Sequence, residues 1–146
     1  MAAARRSAPD VHTGALIVTH DGMPRGCLHV VYFTGPILAT RGLLARHCPP
    51  PGYGVVIHGW PSLIHTLGMA YPIDVLWLDR HRTVVAVATV PAWRPFAWGG
   101  LTACDVIEMR AGEADRVGID VGDTLRLAAP PRLPRNMVQR PRVPAT

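Results

Sequence analysis

His65 and Asp74 stand nine residues apart in the stretch HTLGMAYPIDVLWLD (65–79), and His58 lies seven residues before His65. A carboxylate that orients an imidazole makes a general base or a metal ligand. Asp74 enters the most apolar run of the chain, where an isolated carboxylate would cost several kcal/mol, so it must find a partner. The candidates are His65, Arg41 and the backbone N–H groups of the loop at 65–69. Two readings follow. In the first, Asp74 ties down the loop ahead of its own strand and holds the fold together. In the second, His65 and Asp74 form a catalytic or ligand-binding pair at the lip of a pocket, and His58 could complete a two-histidine, one-carboxylate metal set. The first is favoured, because no nucleophile or second carboxylate accompanies the pair. The patterns GxxxxGK[ST], GxGxxG, GxSxG and HExxH are also missing from the sequence.

A second cluster lies in PAWRPFAWGG (91–100). Trp93 and Arg94 could stack over a ligand, while covering a sheet end is the simpler role for Trp93, Phe96 and Trp98. Met69 reads as packing. Arg41, His65, Thr66, Asp74, Trp93 and Arg94 are therefore the ligand-binding candidates, and no cofactor is expected.

The elements that must position these residues are mainly strands. Pro72 sets an extended entry, after which Asp74, Leu76 and Leu78 share one face and Ile73, Val75 and Trp77 the other. With TVVAVATV (83–90), IDVLWLD forms a hairpin whose first strand is apolar on both faces. GALIVTH and CLHVVYF flank a turn at DGMPRG, GVVIHGW is a short strand, and CDVIEM alternates as a half-buried one. ILATRGLLARH (37–47) reads as a short helix, and Glu113–Val117 as one or two helical turns ended by Gly118. The expected class is all-β, a compact sandwich or barrel with one or two short helices.

One domain accounts for 146 residues, with boundaries expected at 12–128 between a flexible arm (1–11) and a disordered Pro/Arg-rich tail (129–146). The net charge of +5 resides in those ends, since residues 11–128 carry nine arginines and nine acids. A neutral body disfavours nucleic acid as a partner. Cys27, Cys48 and Cys104 form no CxxC pair and read as reduced core thiols. No apolar run approaches the length of a membrane span, and no signal peptide is evident, so a cytoplasmic location is expected.

The order RGLLAR (41–46), GVVIHGW (54–60), IHTLGMAYPIDVLWLD (64–79), VVAV (84–87), VPAW (90–93) and DVIEMRAGEADRVGIDVGDTLRL (105–127) resembles the bacterial and archaeal family called domain of unknown function 192, in its His-Thr-x-x-Met form. The resemblance implies a jelly-roll-like β-sandwich and no established reaction. Two positions depart from the family pattern: the hairpin turn reads DRHR without glycine, and Val106-Ile107-Glu108 replaces Val-Leu-Glu. The expectation is a non-enzymatic module that binds a small ligand or a protein. The alternatives are an enzyme, such as a metal-assisted hydrolase using His65 and Asp74, and an accessory protein acting through its basic tail.

Overall fold

The structure is a computed structural model that describes residues 11–33, 48–58 and 63–128. Arg41, the helix expected at 37–47, the arm at 1–10 and the tail at 129–146 lie outside the described residues.

Strands β1 (Val11–His20) and β2 (Met23–Phe33) open the chain as a hairpin. Its turn is tighter than DGMPRG suggested. Asp21 and Gly22 both have positive φ, 48° and 79°, so two residues reverse the chain and Pro24 falls inside β2, beside a slip in register between Val18 and Thr19. Asp-Gly suits this turn because both residues tolerate left-handed backbone. Next come β3 (Tyr53–His58), β4 (Leu63–Ile64), β5 (Ile73–Leu78), β6 (Val84–Val90), β7 (Ala97–Trp98), β8 (Asp105–Arg110), helix α1 (Glu113–Val117) and β9 (Thr124–Ala128).

Seven strands form one mixed sheet in the order β6-β5-β8-β3-β2-β1-β9, with β2 and β3 parallel, and β4 pairs with β7 in a separate two-stranded sheet. The large sheet curls until its two edge strands touch near one end, where Thr83 bridges Thr124 and Val84 N–H donates to the Asp123 carbonyl at 2.8 Å. It does not close into a barrel. The DRHR turn between β5 and β6 is built without glycine: Arg82 takes φ 63°, and Asp79 Oδ1 accepts from the N–H groups of His81 and Thr83.

Every residue of β5 is buried. Leu76 and Leu78 enter a core inside the curl with Leu28, Val30, Ile107 and Leu125. Ile73, Val75 and Trp77 enter a second core on the outer face, with Val55, Ile57, Met69, Val90 and Val106. The alternation predicted for β5 and the packing role of Met69 both hold. Strand β8 was expected to be half-buried, yet Asp105 to Met109 are all buried, because the outer face is covered as well. The expected core thiols are corrected too, since Cys27 and Cys104 are exposed.

Asp74 points into the inner core and is sealed there. Its Oδ1 accepts from the hydroxyl of Thr89, directly across the ladder on β6, at 2.7 Å. Its Oδ2 accepts from the Ala114 N–H in the first turn of α1 at 3.0 Å. That helix has Gly112 before it and no side-chain cap of its own, so Asp74 supplies from β5 the acceptor that a local cap residue would otherwise provide. Glu113 completes the junction by accepting from Gly52 N–H at 2.6 Å and pairing with Arg116.

Asp74→Ala would orphan the buried Ala114 N–H and should cost about 3 kcal/mol in urea denaturation, whereas Asp74→Asn, which keeps one acceptor, should cost about 1 kcal/mol. Arg116 holds the Glu113 carboxyl below the usual glutamate range, with the Gly52 N–H assisting and burial opposing. The folded-state value is depressed, so this stability is present above the unfolded value of about 4.3 and is lost as pH falls through the folded one. Glu113→Gln should flatten the acid limb of stability measured against pH, most clearly below about pH 4.

Candidate functional site

The outer core exists because something covers β5, β8 and β3, and the cover is the small sheet with its flanking loops. In β4 and β7 the facing pairs are Ile64 with Ala97 and Leu63 with Trp98. Ile64 and Ala97 pack inward on the outer core, so by strand alternation the Leu63 and Trp98 pair faces away. Beneath them Gly99 lies against the indole of Trp77, where a Cβ would fall 1.9 Å from Cγ of the ring. Only glycine permits this approach.

Thr66 locks the two loops together. It is fully buried, and it engages the 91–98 segment at four points. Its hydroxyl donates to the Pro91 carbonyl at 2.5 Å and accepts from Arg94 N–H at 2.9 Å. Its own N–H donates to the Arg94 carbonyl, and its carbonyl accepts from Trp93 N–H, both at 2.9 Å. The same carbonyl accepts from Met69 N–H, which closes the turn at 66–69. Trp93 is held with φ 63°, a left-handed conformation that costs a bulky residue about 1 kcal/mol.

The outcome on the surface is an apolar face. Leu63, Leu67, Trp93, Phe96, Trp98 and Leu101 are between 43% and 92% exposed, and they are six of the nine large hydrophobic residues exposed among the described residues. Trp98 and Leu63 are cross-strand partners, and Leu67 and Trp93 flank the Thr66 junction. Soluble domains seldom expose large apolar side chains on paired strands and the loops joined to them without a use for them.

The residues expected to share a site are separated. Asp74 does not meet His65: it is buried on Thr89 and Ala114, while His65 is exposed on the other side of Thr66. Thr66 is a structural junction rather than an exposed ligand contact. Trp93, Phe96 and Trp98 do not cap a sheet end; they project from the layer that Ile64, Met69 and Ala97 seal. Arg94 is exposed beside them.

Imidazole–carboxylate pairs do occur, with other members. His58 Nδ1 lies 2.7 Å from Asp105 Oδ1, across the β3–β8 ladder, and His20 Nδ1 lies 2.6 Å from the buried Asp123. Near Asp105 the hydroxyl of Tyr32 is buried with no hydrogen-bond partner; burial raises its pKa, Arg82 opposes this and Asp105 adds to it. Both pairs were missed because histidine and aspartate at opposite ends of different strands carry no spacing signal. Among the described residues, no three histidine, cysteine or acidic side chains are placed to hold a metal ion, so His58, His65 and Asp74 are not brought together.

Residues 17–127 match the profile of domain of unknown function 192, described as an uncharacterized ACR. The chain belongs to this family. No curated protein matches it. Among solved structures it resembles a protein provisionally named a transcription regulator from Sinorhizobium meliloti, with 17% identity and a TM-score of 0.74 over 83% of this chain and 98% of that one. A protein of unknown function from Novosphingobium aromaticivorans superposes with a TM-score of 0.69 at 20% identity, over 86% of this chain and 97% of the other. At these identities the likeness is one of fold. No helix among the described residues is long and apolar enough to cross a membrane.

Thr66→Val keeps the shape but leaves the Arg94 N–H without its acceptor, and it should cost about 2 kcal/mol. Hydrogen exchange at the Trp93 and Arg94 amides should accelerate more than exchange within β5, because the loops separate before the sheet does.

Proposed function

We propose that this family member is a non-enzymatic binding module that receives an extended, apolar segment of a protein through the Trp93, Phe96 and Trp98 face. The observation that carries this reading is the exposure of those rings on a layer pinned from below by Thr66 and Gly99. Rigid aromatic side chains lose little conformational freedom on binding and dominate contact energies at interfaces. Extended segments suit the face because exposed rings on the short strand β7 and in the loop before it offer shallow stacking positions. The strain at Trp93 supports the reading too. A bulky residue in left-handed backbone lowers stability unless its side chain is needed where it is.

Selection of a random-peptide library on the full chain tests this. Selected peptides should lose at least tenfold in affinity on Phe96→Ser and on Trp93→Gly, a loss of about 1.4 kcal/mol or more. Trp93→Gly should at the same time leave thermal stability within about 1 kcal/mol of the parent, since relief of the left-handed strain offsets the entropy of glycine. Peptides that bind both variants as well as the parent would refute the assignment of the binding face.

A further inference from the structure

The layer that carries the aromatic face is segregated in charge. Its two stretches, 63–72 and 91–103, contain no aspartate or glutamate, and their basic side chains are His65 and Arg94. The strands it covers, β3, β5 and β8, hold three carboxylates between them, and all are sealed below: Asp74, Asp105 and Glu108 are 2%, 9% and 6% exposed. Residues 11–128 as a whole are balanced, with nine arginines and nine acids, so the lack of acid is particular to this layer. A molecule lying on the rings meets positive charge from the layer and no negative side chain.

Arg94 is the permanent charge of the two. Its N–H donates to the Thr66 hydroxyl and its carbonyl accepts from the Thr66 N–H, both at 2.9 Å, so its side chain starts from a pinned point, between Trp93 and Phe96 in the chain. That side chain is exposed and makes no ion pair among the described residues, whereas Arg25 pairs with Asp120 and Arg116 with Glu113. An unpaired guanidinium beside apolar rings discriminates among partners. A neutral segment pressed onto the rings would strip its water and return no acceptor, and a basic one would be repelled. Anionic lipid carries the right charge, but its recognition takes clusters of about 4–8 basic residues, and this layer has two. Resting on the reading of the rings as a binding face, we infer that the segment received there is acidic: an aspartate or glutamate of the partner seats on Arg94 while its apolar neighbours cover Trp93, Phe96 and Trp98. The rings supply the contact area, and Arg94 sets which apolar segments are accepted.

The test uses the full chain and the peptides selected on it from the random library. Those peptides should carry an acidic residue within or beside their apolar run. For one such peptide, Arg94→Gln in the protein and neutralisation of the acidic residue in the peptide should each weaken binding about fivefold, and the two changes together should weaken it no further than either alone, as a direct pair requires. Arg94→Lys, which keeps the charge, should lose only about twofold. Arg94→Gln should leave thermal unfolding where it is, because both bonds to Thr66 are made by the backbone. Selected peptides that depend on Phe96 but lack an acid, or whose acidic residue contributes independently of Arg94, overturn the inference and leave the binding face standing. If no selected peptide depends on Phe96, both readings fail. Vesicles of phosphatidylcholine and phosphatidylserine at about 3:1 should not retain the chain. Retention that is lost on Phe96→Ser would assign the face to a lipid surface and overturn the acidic segment as its occupant.

Discussion

Burial of β5 on both of its faces is the constraint from which the rest of the architecture follows. A strand reading Ile73-Asp74-Val75-Leu76-Trp77-Leu78 cannot leave either face in water without exposing large apolar side chains, so the chain must build a layer on each side. On the inner side the sheet supplies that layer itself, curling until β6 and β9 meet at Thr83 and Thr124. On the outer side the described residues form no further large sheet. The cover comes from β4, β7 and the loops around them, with Met69, Ile64 and Ala97 as its inward residues.

That arrangement explains why the polar residues of the apolar runs are structural. Asp74 alternates onto the inner face, where water cannot reach it, and it is stabilised by one hydroxyl opposite and one helix N–H above. A sealed carboxylate whose two oxygens are already engaged is poorly suited to exchange protons with a substrate. Thr66 performs the corresponding task outside, where four hydrogen bonds convert two irregular loops into a stiff cover. The cover is only one layer thick. Its inward residues alternate with outward ones, so sealing the outer core forces Leu63 and Trp98 toward solvent, and the apolar face is a geometric consequence of closing the core with so short a sheet.

Much of this was legible in the residues. Pro72 followed by a run apolar on both faces implied a central strand, Gly118 implied the end of α1, and the ordered motifs from 41 to 127 implied the family. Other features were read with the wrong sign. Covering a sheet end was the simpler of the two roles read for the 91–100 loop, the other being Trp93 and Arg94 stacking over a ligand, and nothing in PAWRPFAWGG says that Trp93, Phe96 and Trp98 stay exposed. The one usable signal was the spacing of Phe96 and Trp98 around the small Ala97, which fits a short strand with its small side inward. Cys27 and Cys104 were misplaced for a similar reason, since a lone thiol carries no marker of its face.

The sequence by itself determined the positions of the long strands but not of the short pair β4 and β7, and it determined the mainly β class, the need for a partner at Asp74 and the family. These depend on periodicity, proline geometry and the cost of burying a charge, all of which act along a few consecutive residues. Tertiary structure alone decided who the partners are. Asp74 reaches Ala114, forty residues away, because β5 and β8 are neighbours in the large sheet, and Thr66 reaches Arg94, twenty-eight away, because β4 pairs with β7 in the small one. Pairing of that kind is set by how two cores are closed at once, a property of the whole chain that no short stretch of residues encodes.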